Sequence, residues 1–535
     1  MVNALYYGDN LDVLRDSIAT ESVDLVYLDP PFNSAAGYNV LFKAPAGQKS
    51  EAQIEAFEDT WHWTDSAARA YEDVIRSRHT EAATMLKAMR SFLGENDMMA
   101  YLAMMAVRLI ELHRVLKDTG SLYLHCDPTA SHYLKILLDA IFGQENYLNE
   151  IIWQRTNSHN TARRYGKVAD TLFFYAKSEK YIWNEVFTSY GAKQLKRYRP
   201  DSHGRLYRGD DLTADRATSS SGKFNWRGTM PPSSRGWGYS LEQLEQWWAE
   251  GRILVRKDGS PRMDGLKVYL DNSKGKRLQS VWTDIDRIGN TSSERLGYPT
   301  QKPLALLERI ITVSSNPGDL VLDPFCGCGT AVHASQKLER RWIGIDITHL
   351  AVSLIERRLK DAFPGIKFDV NGTPKDLDGA KDLASRDKYQ FQWWAVSLVD
   401  AVPQGGKKKG MDRGIDGIRW VRTGPKDEFE KVLVSVKGGE HVGAAMVRDL
   451  KGTIERENAL GGMFVTLTEP TREMTREAAA AGFFETSFGQ HPKIQILTIA
   501  GLLAGQKPEL PSPGLGEGFK KAQRESSITK QGKLI

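Results

Sequence analysis

The stretch that most constrains this chain runs from residue 319 to 346. A strand-like run at 319–322 leads into Asp323-Pro324-Phe325-Cys326-Gly327-Cys328-Gly329-Thr330-Ala331, and residues 332–338 have helical spacing. Trp342-Ile343-Gly344-Ile345-Asp346 then reads as a second strand that closes on a carboxylate. Strand, glycine turn, helix and strand together make a unit of a parallel α/β sheet. The glycines allow a sharp turn and a close approach to a ligand, and the helix N-terminus offers free N–H groups. An acid about 20 residues past such a turn is placed for a ribose hydroxyl pair. The same turn also occurs in α/β proteins that bind nothing there, so the rest of the chain has to decide.

Residues 4–7 read as a short strand ending at Gly8-Asp9, and 11–18 have helical spacing. A second strand, 23–28, ends at Asp29-Pro30-Pro31-Phe32-Asn33. Ligands of open α/β sheets sit beyond the carboxyl ends of the strands. Asp9, Asp29, Asp323 and Asp346 are therefore expected on one rim. The alternation continues with an amphipathic helix at 98–116, a strand at 121–125 and a helix at 133–142. Between them, about 34–96 reads as an insertion without clear strands, with helices at 53–57 and 67–76 and an aromatic cluster, Trp61-His62-Trp63. It is either a cover over the rim or a packed helical excursion. Two apolar runs, 150–155 and 171–177, bracket a basic loop with Arg155, Arg163, Arg164 and Lys167. From about 181 to 295 the sheet rhythm disappears. Lys193, Lys196, Arg197, Arg199, Arg205 and Arg208 interleave there with Tyr198 and Tyr207, a composition suited to phosphates and bases. Residues 241–248 read as a helix, and Trp226, Trp237 and Trp282 as the makings of a small core.

The glycine turn resembles the S-adenosylmethionine (SAM) motif of amino-group DNA methyltransferases, D-P-F-x-G-S-G-T, with Cys328 in place of the Ser. Asp29-Pro30-Pro31-Phe32 resembles the catalytic tetrapeptide of the same family, and its position ahead of the SAM motif resembles the permuted β group. The resemblance covers roughly residues 3–365. It implies a Rossmann-like methyltransferase sheet, permuted, with Asp29, Pro30, Pro31 and Phe32 catalytic. It further implies that Asp323, Phe325, Gly327, Gly329 and Thr330 line the methionine end of SAM, Asp346 holds the ribose and Asp9 lies near the adenine. Gln301-Lys302-Pro303 would close the pocket, and the runs at 150–155 and 171–177 would be paired strands near a flipped base. Arg155, Arg163, Arg164, Lys193, Lys196, Arg197 and Arg199 are the expected DNA contacts. Methyl transfer of this kind needs no metal and no covalent enzyme intermediate. Asp in the tetrapeptide points to adenine N6, with cytosine N4 the alternative; a SAM-sensing DNA-binding protein without turnover and an RNA substrate are the other readings.

The expected division is 1–180 (catalytic half), 181–296 (target recognition), 297–370 (SAM half), 371–388 (a charged linker), 389–507 (a second α/β domain) and 508–535 (a Gly-, Pro-, Lys- and Ser-rich tail expected to be disordered). The second domain resembles the restriction-endonuclease-like fold of the Mrr type. Asp416 and Lys437 match that family's aspartate and lysine. Ser435 stands where a stronger ligand is usual, and Gln392 where the first helix often carries a Glu. Both changes weaken Mg²⁺ binding. The domain is thus either a nuclease using Mg²⁺, which would make a bifunctional methyltransferase–nuclease, or a DNA-binding module helped by Lys407, Lys408 and Lys409. Three cysteines, Cys126, Cys326 and Cys328, allow no disulfide framework, and their spacing gives no zinc site. Without a signal-like or membrane-spanning run the chain is expected in the cytoplasm. A net charge of +5 suits double-stranded DNA as the partner, in a restriction–modification or related setting, with a homodimer left open.

Overall fold

The structure is a computed structural model. It describes residues 3–31, 37–41, 53–58, 62–156, 163, 165–215, 222–289, 292–296, 298, 300–404, 414–424, 429–511 and 523–525. The chain divides into two units, one of them formed by residues 185–279.

Among the described residues the main sheet has nine strands. Their spatial order is Val281–Trp282, Tyr147–Gln154, Ala169–Ala176, Leu116–Cys126, Val23–Leu28, Leu320–Asp323, Arg341–Asp346, Ala4–Tyr7 and Asp369–Asn371. Only Ala169–Ala176 runs antiparallel to its neighbours. Strands from the two ends of the chain meet where Val26 pairs with Leu322 and Tyr7 with Asp346. The four strands that carry or precede Asp9, Asp29, Asp323 and Asp346 are thus neighbours, at the kind of crossing where open sheets bind ligands.

Strand alternation decides the two faces. Val26 and Leu28 point into a core shared with helices Asp65–Arg76, Thr80–Leu93, Asp97–Val115 and Ser131–Phe142. Leu25 and Tyr27 point the other way, onto Leu306, Leu307 and Ile310 of helix Leu304–Ser314. Helix Asp97–Val115 is capped by Asn96, which accepts the Met99 N–H at 2.9 Å, and it is buried on most of its circumference rather than along one face.

The insertion differs from expectation. Gly37–Leu41 and Gln53–Glu58 form an antiparallel pair, so 53–57 is a strand and not a helix. Gln53-Ile54-Glu55-Ala56 alternates with period two, and pairing with a partner strand outweighs the helix propensity of Gln, Glu and Ala. Trp61 lies outside the described residues. Trp63 packs edge-on against Tyr71, with the Arg90 guanidinium over it.

Unit 185–279 is built on the antiparallel strands Ile253–Val255, Pro261–Tyr269, Leu206–Asp210 and Arg199–Pro200, with helix Leu241–Ala249. Trp226 and Trp237 form its core with Leu212 and Leu244. Trp282 does not join them. It sits in the last strand of the main sheet, against Ile310 and Ile311.

Among the described residues the main sheet of the C-terminal domain has five strands, Val402–Pro403, Gly417–Arg422, Phe429–Lys437, Gly461–Thr466 and Ile494–Thr498, the last three parallel. The expected linker contains a helix, Leu377–Arg386, capped by Asp376. Its Ala380, Leu383 and Ala384 form a helical stripe that is buried in this domain's core. Trp393 and Val402 of the same domain pack with Tyr298, Cys328, Leu350 and Leu354 of the sheet domain, so the two share one apolar cluster. Of the expected disordered tail, 512–522 and 526–535 lie outside the described residues. Glu525 is held by His333 Nε2 at 3.0 Å and Lys337 at 3.3 Å.

Candidate active site

A cavity of about 360 Å³ opens at the carboxyl ends of the four neighbouring strands. Of the residues expected there, Asp9, Asp29, Pro30, Pro31, Lys302, Asp323, Phe325, Gly327, Thr330 and Asp346 line it. Phe32 lies outside the described residues. Gly327 and Gly329 have φ of 48° and 72°, the left-handed region, which lets the turn fold tightly. A Cβ on Gly329 would lie 2.7 Å from Ile355 Cγ1, so this position also needs the missing side chain.

Asp346 accepts the Gly327 N–H at 2.9 Å, the Thr348 N–H at 2.9 Å and the Thr348 hydroxyl at 2.8 Å. Burial still pushes its carboxyl up from 3.8 to about 6. Asp323 accepts the Phe325 N–H at 3.1 Å, and burial, joined by the charges of Asp29 and Asp346, pushes it well above the ordinary value. Two acids in desolvating surroundings, Asp323 buried and Asp346 half-buried, suit a cationic ligand, whose charge would offset their desolvation. A sulfonium with an amino-acid tail has that chemistry.

Cys328 Sγ lies 3.6 Å from Thr330 Oγ1, so a sulfur–hydroxyl contact stands in the turn. The buried Arg358 guanidinium donates to the Cys328 carbonyl at 2.9 Å and to Thr330 Oγ1 at 3.3 Å.

Asp9 caps helix Asn10–Ser17, accepting the Leu11 N–H at 2.8 Å. Both of its oxygens are also gripped by Arg108, at 2.8 and 3.0 Å. Arg108 Nε donates to Asn10 Oδ1 at 2.6 Å, and Asn10 Nδ2 to the Pro324 carbonyl at 2.8 Å. This chain ties the long helix to the glycine turn. Sequence reasoning missed Arg108. The available signal was an arginine inside the apolar run Ala103-Met104-Met105-Ala106-Val107-Arg108-Leu109-Ile110.

Three expected pocket-closing residues behave differently from one another. Gln301 faces away, bonding the Leu296 N–H at 2.8 Å and the Glu294 carbonyl at 2.7 Å, and it is not among the lining residues. Pro303 is the N-cap of helix Leu304–Ser314 and also lies off the cavity. Lys302 reaches the cavity but forms an ion pair with Asp29 Oδ2. The short segment acts mainly on loop shape and on Asp29. Tyr298 and Thr300, just ahead of Gln301, line the cavity, as does Ile347, which was not singled out.

Asp29 Oδ1 is buried and has no hydrogen-bond partner among the described residues. A buried carboxylate oxygen left in that state costs free energy, and its usual explanation is a group that arrives during function.

The expected DNA contacts are distributed. Arg155 pairs with Asp170 at 3.2 Å beside the site. Arg163, Lys193, Lys196, Arg197 and Arg199 are exposed. Arg164 lies outside the described residues, and Arg205 and Arg208 are occupied by Asp271 and Asp210.

In the C-terminal domain, Asp416 is buried and its Oδ2 accepts the Val436 N–H at 2.6 Å. Ser435 is buried, Lys437 ends its strand and Gln392 is half-buried on helix Lys388–Leu398. Asp416 therefore braces the sheet instead of standing open as a ligand. Among the described residues, no group of three or more His, Cys, Asp or Glu could hold a metal ion. Lys407, Lys408 and Lys409 lie outside the described residues. Among the described residues, no helix is long and apolar enough to cross a membrane.

An acid-rimmed cavity at a sheet crossing, with one unsatisfied carboxylate oxygen in its lining, is the ligand site of a Rossmann-like α/β protein. Residues 23–357 match the N6/N4 DNA methylase family model, and the chain belongs to that family. Residues 404–503 match the model described as NACHT-associated inactive Restriction Endonuclease 1, in keeping with the restriction-endonuclease-like fold expected there. The chain is similar to the type II methyltransferase M.EcaI of Enterobacter cloacae, 31% identical over 360 residues, 66% of this chain and 69% of that one. It is similar to the type III restriction-modification enzyme StyLTI Mod subunit of Salmonella typhimurium, 26% identical, covering 63% of this chain and half of that one (50%). It is also similar to the DNA adenine methyltransferase YhdJ of Escherichia coli, 24% identical, covering 66% and 82%.

Proposed function

We propose that this chain moves the methyl group of SAM to the N6 amine of an adenine flipped out of double-stranded DNA. The observation that carries the reading is Asp29 Oδ1, buried, unpartnered among the described residues and at the mouth of the cavity. The adenine assignment is supported by Asp in the tetrapeptide and by relatives such as the adenine methyltransferase YhdJ.

An exocyclic amine is a weak nucleophile because its lone pair is delocalised into the ring. Asp29 accepts one amine hydrogen and the Pro30 carbonyl the other, which localises the lone pair. Pro30 and Pro31 have fixed φ, so that carbonyl is held stiffly. Lys302 fixes Oδ2 and leaves Oδ1 to the substrate. Fixed acceptors of this kind are worth most where water is excluded. SAM, when bound, supplies an activated methyl on a cationic sulfur. On that side Asp346 and Asp323 offer charge, and the glycine turn lets the backbone approach. Phe32 is suited to stack on the extruded base. The exposed bases Lys193, Lys196, Arg197 and Arg199 would neutralise phosphates. We assign no Mg²⁺ to the C-terminal domain, whose Asp416 is committed to backbone, and read it as non-cleaving.

Asp29→Asn should bind SAM with an unchanged dissociation constant and transfer no tritium from labelled SAM to unmethylated phage DNA. Full transfer by this variant refutes the role of Asp29. Mass spectrometry of the digested wild-type product should show N6-methyladenine, and N4-methylcytosine alone would move the specificity to cytosine.

A further inference from the structure

Unit 185–279 holds a cleft of its own, of about 570 Å³. Four cations, Arg235, Arg256, Lys257 and Arg262, line it against two carboxylates, Asp211 and Asp264. Val255 and Met263 give it an apolar side, and Val255 is 51% exposed.

The two carboxylates are spent on two of the cations. Asp211 accepts from Arg235 Nη1 at 3.0 Å, while Arg235 Nη2 donates to the Thr213 carbonyl at 2.8 Å. Asp264 accepts from Arg262 Nε at 3.1 Å and Nη2 at 2.7 Å. Each guanidinium is thereby held in one orientation with donors left over, Nε on Arg235 and Nη1 on Arg262.

Arg256 and Lys257 have no such partner. Both are exposed, and among the described residues neither reaches a carboxylate at ion-pair distance. They stand at the turn between strands Ile253–Val255 and Pro261–Tyr269. That turn is closed on itself. The Arg256 N–H donates to the Ser260 carbonyl at 2.8 Å, and the Gly259 N–H to the Arg256 carbonyl at 3.1 Å. Gly259 takes a φ of 81°, the left-handed region that favours glycine. Asp258 spends its Oδ1 on the Ser260 N–H at 2.9 Å and the Ser260 hydroxyl at 2.6 Å. The acid of the turn is committed within the turn, and the two cations are left to solvent. Like charges set beside two further cations repel one another, and a bound polyanion removes that cost.

A nucleic-acid backbone fits this cleft on three counts. It carries its charges in a row, so one strand can meet several cations at once. Guanidinium forks match the two free oxygens of a phosphate. Its sugars present carbon faces, which suit Val255 and Met263. The cleft also joins surface already given to DNA. The hydrogen bonds of Arg262, against some desolvation, and then the charges of Arg262 and Arg199 hold the Asp264 carboxyl below its usual range, so Arg199 acts on the same acid.

We propose that this cleft is a phosphate-binding site for double-stranded DNA, with Arg256 and Lys257 each taking one backbone phosphate. Arg235 and Arg262 offer their remaining donors to the same strand. Such contacts fix the position of a duplex on unit 185–279 and carry no sequence information. The proposal rests on DNA as the substrate, as argued above.

The test compares wild type with the double variant Arg256→Gln/Lys257→Gln and with Lys257→Glu. Affinity for a fragment of unmethylated phage DNA is read by fluorescence anisotropy at salt concentrations from about 50 to 200 mM. SAM dissociation constants are measured by calorimetry, and the modified positions are sequenced after methyl transfer. In the double variant the slope of log affinity against log salt should flatten by about 1.8, at about 0.9 for each phosphate lost. Affinity at about 0.1 M salt should fall about 10–100-fold. SAM should bind within about twofold of wild type, and the same positions should be modified, at higher DNA concentration. A wild-type slope in the double variant overturns the proposal. So does a changed set of modified positions, which would make the cleft a reader of base edges. Lys257→Glu, one change at an exposed turn, should weaken DNA binding about tenfold or more. Unchanged affinity there also overturns the proposal, and this variant decides alone if the double variant fails to fold. A wild type that neither binds nor methylates the fragment would remove the substrate reading itself. A wild type that does both, beside variants that bind like it, removes only the cleft.

Discussion

Asp346 offers a pH dependence that can be worked from the structure. Burial raises its carboxyl from 3.8 to about 6 in the free protein. The sign follows from linkage. Its folded value lies above the unfolded one, so its contribution to stability is full below the ordinary value and is lost as pH rises to about 6. Ligand affinity runs the other way if Asp346 receives ribose hydroxyls as a carboxylate. At about pH 5 roughly nine in ten molecules carry it protonated, and the apparent SAM dissociation constant should be about tenfold weaker than at about pH 7.5, or about 1.4 kcal/mol. Asp346→Asn removes the charge and puts an NH₂ against the Gly327 or Thr348 N–H. At neutral pH it should cost about 1.5–3 kcal/mol of SAM binding. Asp323 also titrates upward and binds the same ligand, so the difference between the two pH curves isolates Asp346. Calorimetric titration of SAM at a series of pH values reads both. A wild-type affinity flat between about pH 5 and 7.5, or an Asp346→Asn curve with the wild-type slope, would refute the assignment of the ribose contact.

Trp393→Ala should lower the melting temperature of the whole chain and weaken SAM binding, because Trp393 packs with Tyr298 and Cys328. The packing loss alone is about 3–5 kcal/mol, and a variant that melts and binds like wild type would show the two domains to be independent. Arg108→Leu should destabilise by about 2–3 kcal/mol in chemical denaturation, less than for a fully buried pair because Asp9 reaches water. Unmethylated DNA incubated with the full chain and Mg²⁺ should stay uncut on a gel, and cleavage that disappears in both Asp416→Ala and Lys437→Ala would restore the nuclease reading.

The strands that deliver the site were legible because their signal is local. Residues 23–28 and 342–346 are short apolar runs that each end on an acid, and the turn chemistry of Gly327 and Gly329 follows immediately. Partners were not legible. Nothing near Lys302 in the sequence says that its ammonium meets Asp29, 273 residues away. Gln301 beside it turns to the loop backbone for the same reason, since a backbone group needing a partner leaves no trace in residue type. Helix Leu377–Arg386 was hidden by its charge, although Leu377, Ala380, Leu383 and Ala384 keep helical spacing.

The N-terminal strand Ala4–Tyr7 has a consequence for synthesis. It is hydrogen-bonded between Arg341–Asp346 and Asp369–Asn371, and Asn3 accepts the Trp342 N–H from 339 residues away. On a ribosome moving at roughly 5–20 residues per second, the apolar run Ala4-Leu5-Tyr6-Tyr7 emerges roughly 17–70 seconds before its first partner strand exists. The nascent chain must carry that segment unpaired while the strands and helices through residue 176 collapse around Val23–Leu28. The mouth of the cavity beneath Asp9 and Asp346 closes only when the late strands arrive. A ribosome-bound chain cut short at about residue 335 should therefore hold a protease-resistant helical half and a cleavable N-terminus, and should have no SAM affinity.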